Sequence, residues 1–208
     1  MIIIVDYGLG NLGSVQKAVT RIGFKSIITN ERKLISQASA LILPGVGNFK
    51  LGIEKLRKLD LIKPLNEMVI EKQTPVFGIC LGMQLMTSHS EEGDCEGLNW
   101  IKGKTKRFVS SERLKVPHMG WNNLNIQINS KIFTEVTTND FFYFVHSYYV
   151  TDVVAENVLS FTHYGINFVS LFAKNNIYGC QFHPEKSHDA GLNLLTNFCN
   201  LTSVKVCN

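Results

Sequence analysis

Pro75-Val76-Phe77-Gly78-Ile79-Cys80-Leu81-Gly82-Met83-Gln84 is the stretch on which the fold turns. Pro75 to Ile79 reads as a short buried strand, and Met83 to Thr87 begin a helix. Between them stands a cysteine with a glycine two residues before it and another two residues after. That is the layout of a nucleophile elbow, with sulfur in place of the serine oxygen. A turn so tight holds the nucleophile in a strained backbone conformation and leaves its flanks no room for side chains. Cys80 would then stand at a helix N-terminus, whose free N–H groups favour a thiolate. The same groups, that of Leu81 foremost, can stabilise an oxyanion. A cysteine packed as a small hydrophobe between sheet and helix carries the same G-x-C-x-G, so the elbow is weighed with what accompanies it.

Upstream, short apolar runs alternate with amphipathic stretches, the pattern of parallel strands joined by covering helices. Ile2 to Val5 is a first strand. Leu12, Val15, Val19 and Ile22 share one helical face that Gly23 ends. Ser26 to Thr29 is a weak second strand, Arg32 to Gln37 a short helix, and Ala40 to Leu43 a third strand ended by Pro44-Gly45. Leu61, Leu65, Met68 and Val69 form another helical stripe. Leu43-Pro44-Gly45-Val46-Gly47 lies at the C-terminal sheet edge, where open parallel sheets bind ligands. Its N–H groups are candidates for a second oxyanion donor, although an ordinary glycine turn has the same composition.

Downstream, from about Leu98, the texture changes. Asn122 to Asn129 alternates polar and apolar as a half-solvated strand does. Further strands read at Phe141 to Val150, Val158 to Thr162, Phe168 to Ala173 and Ile177 to Phe182. Ala190 to Phe198, with Leu194, Leu195 and Phe198 on one face, closes the chain as a helix. The expected architecture is α/β: a mostly parallel central sheet flanked by helices, with added antiparallel strands in the C-terminal half. With 208 residues and about 150 per domain, one domain over 1–208 is expected.

Phe182-His183-Pro184-Glu185 supplies what a thiolate attacking an acyl carbon needs, a base and a group to orient it. A histidine at a strand end is more often structural when taken alone; beside the elbow it becomes a candidate base.

Composition excludes several classes. Charged residues make up 18% against roughly 25% in an average soluble domain, and hydrophobic ones 45%, which argues against disorder. The net charge is +4, and Lys106-Arg107 is about the densest basic cluster, so nucleic acid is not an indicated partner. The longest apolar runs, Met1 to Val5 and Phe141 to Val145, fall far short of the ~20 residues that cross a bilayer. No basic stretch or cleavage site makes the first a secretion signal. Five cysteines in irregular spacing fit a reducing compartment, and the cytoplasm is expected. His89, His118, His146, His163, His183 and His188 show no metal-ligand spacing. Gly8-Leu9-Gly10-Asn11-Leu12-Gly13 satisfies the dinucleotide fingerprint, with Glu31 near the ribose position, and defines a rival reading as a nucleotide-binding module. Asp6, two residues before the first glycine, would oppose a pyrophosphate.

G-I-C-L-G-M-Q, F-H-P-E and L-P-G-V-G, taken together, resemble the class I glutamine amidotransferase family. D-Y-G-L-G-N-L at Asp6 to Leu12, V-P-H-M-G-W-N at Val116 to Asn122, V-H-S-Y-Y at Val145 to Tyr149 and F-H-P-E-K-S at Phe182 to Ser187 narrow the resemblance. They are similar to the glutaminase subunits that pair with a separate (βα)8-barrel synthase in histidine biosynthesis.

The resemblance implies that Cys80 attacks the side-chain amide of glutamine and releases ammonia, leaving a γ-glutamyl thioester that water hydrolyses. His183 would move the proton and Glu185 orient it; Val46 and Leu81 would supply oxyanion N–H groups. Gly47, Gln84 and Glu92 would hold glutamine, and Ser147 and Tyr148 would grip its backbone end. The resemblance also implies a heterodimer with the barrel subunit, whose lyase reaction consumes the ammonia, and an interface that includes Asn11, Trp121 and Asn122. The Pro44–Gly47 segment would stay misoriented until the partner binds its ligand. No metal or cofactor is implied. Similar subunits also feed ammonia to amidino-sugar synthesis for surface polysaccharides, an alternative acceptor.

Overall fold

The structure, a computed structural model, describes residues 1–112 and 114–202; Cys207 lies outside them. The N-terminal half runs β1 (Ile2–Val5), α1 (Leu12–Arg21), β2 (Ser26–Thr29), α2 (Arg32–Ile35), β3 (Ala40–Gly45), α3 (Phe49–Lys58), α4 (Ile62–Asn66), β4 (Val76–Cys80) and α5 (Leu81–Leu85). A π-helical turn over Glu67–Glu71 continues α4 and buries Met68 and Val69. Then follow β5 (His89–Ser90), β6 (Cys95–Glu96), β7 (Lys104–Arg107), β8 (His118–Asn123), β9 (Asn125–Ile126), β10 (Phe141–His146), β11 (Tyr148–Thr151), β12 (Val158–Tyr164), β13 (Ile166–Lys174), β14 (Ile177–Cys180) and α6 (His188–Leu201). No helix among the described residues is long and apolar enough to cross a membrane.

The main sheet has the order β2-β1-β3-β4-β14-β13-β11-β7-β5-β6, with β12 on β13 and β9 on β12. From β2 to β14 all neighbours are parallel; β13 then turns the sheet antiparallel. Every residue of β1 is buried, because alternate side chains enter opposite layers. Ile2 and Ile4 pack with α1 and α6, whereas Ile3 and Val5 pack with α3, α4 and α5. The closing helix docks Phe198 on Phe77, ring centroids 5.1 Å apart.

Several expectations need correction. The third strand does not stop before Pro44: β3 runs on through Gly45, with Pro44 opposite Ile79 and Gly45 opposite Cys80. Pairing with β1 has already ended at Ile42, so on that side no partner awaits the N–H that proline lacks. Helix α3 is not among the elements read from sequence, although Phe49, Gly52, Ile53 and Leu56 are buried with helical spacing and the Asn48 side chain caps Leu51 N at 3.0 Å. The single strand expected over Asn122 to Asn129 is divided. His118–Asn123 and Asn125–Ile126 belong to different sheets, and fully buried Leu124 stands at the crossing.

Among the described residues, strands β8 and β10 pair only with each other, as a two-stranded antiparallel sheet. The expected run Phe141 to Val150 breaks likewise at Ser147, where the chain leaves this hairpin for β11 of the main sheet.

Candidate active site

At the end of β4 the backbone of Cys80 takes φ 54° and ψ −109°, a strained conformation for a residue with a side chain. The flanking glycines permit it. A Cβ on Gly82 would overlap the carbonyl oxygen of Leu43, and one on Gly78 would come within 2.8 Å of the Gly82 carbonyl carbon and the Met83 nitrogen. The helix after the elbow starts at once, at Leu81, and ends by Leu85, earlier than the expected Met83 to Thr87.

Strand β14 lies parallel beside β4, with Cys180 opposite Ile79, so the residues beyond Cys180 run alongside the elbow. His183 donates its backbone N–H to the Tyr143 carbonyl at 2.9 Å. The Ser187 hydroxyl donates to the His183 carbonyl at 2.6 Å and accepts the Tyr143 N–H at 3.0 Å. These bonds fasten the histidine backbone to the β8–β10 hairpin. Its Nδ1 lies 2.9 Å from Glu185 Oε1, both side chains being at most 2% exposed. Burial alone would lower the His183 pKa. The charge of nearby Cys80, helped by Glu185, pushes it up to about 10 instead. Among the described residues, buried side-chain atoms without a partner include His183 Nε2, Glu185 Oε2 and the Tyr7 hydroxyl. Burial and the Cys80 charge also raise the Tyr7 pKa.

A cavity of about 300 Å³ opens beside Cys80, at the lower end of ligand-site volumes. Of the residues singled out from sequence, it brings together Val46, Gly47, Cys80, Leu81, Gln84, Glu92, Ser147 and Tyr148. The Glu92 carboxylate accepts the Phe49 N–H at 2.6 Å, which ties it to the start of α3. Pro117, Val145 and His146 also line the cavity and were not singled out for it. Nor was Gln181, fully buried, whose amide nitrogen stands 3.6 Å from Cys80 Sγ. Its signal is the two-residue spacing from His183. Tyr7 sits where a Cβ on Gly45 would strike its hydroxyl; its signal was a place inside D-Y-G.

The remaining sequence candidates fall outside the cavity. Asn11 is exposed and caps α1 by accepting from Ser14 N at 3.4 Å. Trp121 is 46% exposed and stacks on His188 at 4.9 Å. The Asn122 amide turns inward, to His118 and to the His163 carbonyl. Burial pushes the Cys180 thiol well up and that of Cys199 up to about 12, so both remain protonated.

The glycine loop after β1 does not suit a dinucleotide. Asp6 Oδ1 accepts the Gly8 N–H at 3.0 Å, occupying a donor that a pyrophosphate would need. A Cβ on Gly13 would meet nothing within 4 Å, so the third glycine lacks the close helix packing that the fingerprint requires. Gly10 packs instead on the backbone of Pro44 and Gly45.

The chain belongs to the class I glutamine amidotransferases, whose fold it has: the profile of "Glutamine amidotransferase class-I" matches residues 3–201. A solved glutamine amidotransferase superposes with a TM-score of 0.78 at 17% identity, over 98% of this chain and 100% of its own. A chain of PurLQS from Thermotoga maritima gives 0.72 at 16%, over 96% and 97%. Within the class, the chain belongs to the family of imidazole glycerol phosphate synthase subunit HisH. It is 50% identical over 198 residues to HisH 2 of Methanococcus maripaludis, covering 95% of this chain and 98% of that one. It is 44% identical over 201 residues to HisH 2 of Pseudomonas aeruginosa, covering 97% and 100%. The glutamine amidotransferase reading stands over the nucleotide-binding one.

Proposed function

We propose that this chain hydrolyses glutamine to glutamate and ammonia and hands the ammonia to a HisF-type (βα)8 synthase subunit in a heterodimer of histidine biosynthesis. The observation that carries the reading is Cys80, strained at an elbow beside the cavity, with the Gln181 amide nitrogen 3.6 Å from its sulfur and the buried His183–Glu185 pair, 2.9 Å apart, just beyond Gln181 in the chain.

Glutamine enters the cavity with its backbone end toward Ser147 and Tyr148, and Gly47, Gln84 and Glu92 hold it in line. The Cys80 sulfur attacks the amide carbon, and the C=O electrons move onto oxygen, where the N–H groups of Val46 and Leu81 receive the charge. His183, protonated and oriented by Glu185, gives its proton to the leaving nitrogen; the C–N bond breaks and ammonia departs. The neutral imidazole then takes a proton from water, which attacks the thioester. Glutamate leaves, and the sulfur and imidazolium are restored.

The outer face of the hairpin supports a partner. Met119, Trp121 and Phe141 are 62%, 46% and 57% exposed on one side of it, an apolar surface of the kind that marks protein contacts. Val145, further along that side of β10, lines the cavity, so a subunit seated there would meet the escaping ammonia. Asn11 and Trp121 are its proposed contacts, whereas Asn122 faces the other side of β8; the cytoplasm, where thiols stay reduced, is its proposed compartment.

The test is Cys80→Ala in the complex: glutamine-dependent synthesis should disappear, whereas ammonia added to solution should still support it. Normal glutamine hydrolysis by that variant would overturn the assignment. The chain alone should be a poor glutaminase that the synthase with its acceptor activates. Offering the complex the imidazole-pathway acceptor or an amidino-sugar precursor distinguishes the two possible destinations of the ammonia.

A further inference from the structure

Behind Ser147 and Tyr148 lies a run of buried polar groups that the glutaminase chemistry does not itself consume. His118 and His146, 3% and 6% exposed, are register partners across the β8–β10 ladder, with His118 Nδ1 3.0 Å from His146 Nε2. The other nitrogen of His146, Nδ1, is 2.7 Å from the Tyr148 carbonyl oxygen, which can only accept. His146 Nδ1 therefore carries the hydrogen, its Nε2 presents a lone pair, and the hydrogen between the rings belongs to His118 Nδ1. His118 Nε2 is then a lone pair too, facing the Asn122 amide nitrogen at 3.4 Å. That nitrogen sends its second hydrogen to the His163 carbonyl at 3.0 Å.

The same Tyr148 oxygen accepts from Gln84 Nε2 at 3.0 Å, whose other hydrogen goes to Gln181 Oε1, also at 3.0 Å. Gln181 in turn points its amide nitrogen at Cys80 Sγ. One unbroken polar chain thus joins the hairpin to the nucleophile.

The rings lie in an aromatic box. His118 is stacked between Phe144 and Tyr164, at 4.8 and 4.1 Å, and Phe168 stands edge-on to both imidazoles. The titratable groups that act on His146 are His118 and His183. Burial holds His118 near 4 and His146 near 3, so each ring carries one proton at neutral pH, as the wiring demands. A second proton on either would set N–H against N–H.

We propose that His118 and His146 are positioning residues of the glutaminase: they fix the Tyr148 carbonyl, and with Gln84 on the same oxygen they hold the glutamine-gripping wall in register. The proposal rests on Cys80 as the nucleophile, and its tests separate the two claims.

Long-range proton–nitrogen NMR of the whole chain at neutral pH should show both imidazoles as neutral Nδ1–H tautomers, the opposite of the Nε2–H form that free histidine favours. In the complex, His118→Phe keeps the stacking and removes the donor. It should raise the glutamine KM about tenfold, the loss of roughly one hydrogen bond, with kcat changed less than about twofold. His118→Asn, whose amide nitrogen can replace Nδ1, should bring KM back within about twofold of the wild type. A merely structural role would lower the amount of folded enzyme and leave KM alone. An Nε2–H tautomer at either ring overturns the proposal whether or not the variants fold, and so does an unmoved KM in His118→Phe. Undiminished hydrolysis by Cys80→Ala would instead overturn the glutaminase reading and leave the tautomers standing.

Discussion

Gly82 has no room for even a methyl group, because the carbonyl oxygen of Leu43 already fills the space and belongs to the backbone of a central strand. Gly82→Ala should therefore cost roughly 3 kcal/mol or more in a urea melt. Gly13→Ala, on α1 with open space around it, should be neutral or stabilising by about 0.5–1 kcal/mol. Equal effects at the two sites would contradict the packing described for the elbow. Such a turn was legible in sequence because its demand is local, two glycines and a reactive atom within five positions. His183 and Glu185 were legible for a similar reason. Gln181 and His146 were not, since their roles depend on which strands meet across the fold. Among the buried thiols, Cys180 and Cys199 should resist iodoacetamide in the native chain at pH 8, while Cys80 is alkylated and bound glutamine protects it; mass spectrometry of the labelled peptides reads this directly. Labelling of Cys199 as fast as Cys80 would contradict its burial.

Elements were legible where periodicity was unbroken. The parallel strands β1, β3 and β4 stand out because both faces are covered and their residues are buried throughout, whereas β2 at the sheet edge is only partly buried and reads weakly. Helix α3 escaped because its amphipathic stripe includes a glycine, Gly52, where a larger residue is expected; the Leu85 side chain packs over that spot. Leu56→Ala in this helix should cost about 2–5 kcal/mol, as a fully buried leucine does. The second half was harder to read because the chain changes sheets at Leu124 and Ser147, and tertiary pairing rather than local pattern decides such crossings. Trp121→Ala on the exposed hairpin face should leave the urea midpoint nearly unchanged, within about 0.5 kcal/mol. The same change should weaken binding of the synthase about tenfold or more, as loss of a tryptophan anchor does. Isothermal titration calorimetry would measure it, and unaltered affinity would move the proposed docking face elsewhere.

At the scale of the whole molecule, the buried histidines tilt stability in opposite directions. His118 and His146 have pKa values held near 4 and 3, below the ordinary 6.5, so the unfolded chain binds protons that the folded one refuses. Their contribution is present above about 6.5 and is lost as pH falls toward those values. His183, raised to about 10, does the reverse: its contribution is complete below about 6.5 and is lost as pH rises through 10. Melting temperatures should consequently fall on both sides of neutrality. His118→Phe should flatten the acid limb between pH 6.5 and 4, and Cys80→Ser should bring the alkaline decline to lower pH by removing the charge that holds the imidazolium. Variants whose pH limbs match the wild type would refute these assignments.

The hairpin of β8 and β10 has a mechanical consequence. It is a separate plate, yet it clasps the main-chain atoms of His183 through Tyr143 and Ser187, while Cys80 is anchored in the large sheet. The sulfur, which reaches the Val145 carbonyl at 3.9 Å, and the His183 backbone thus both touch that plate, so in the proposed reaction a load applied to its outer side should be felt at sulfur and ring together.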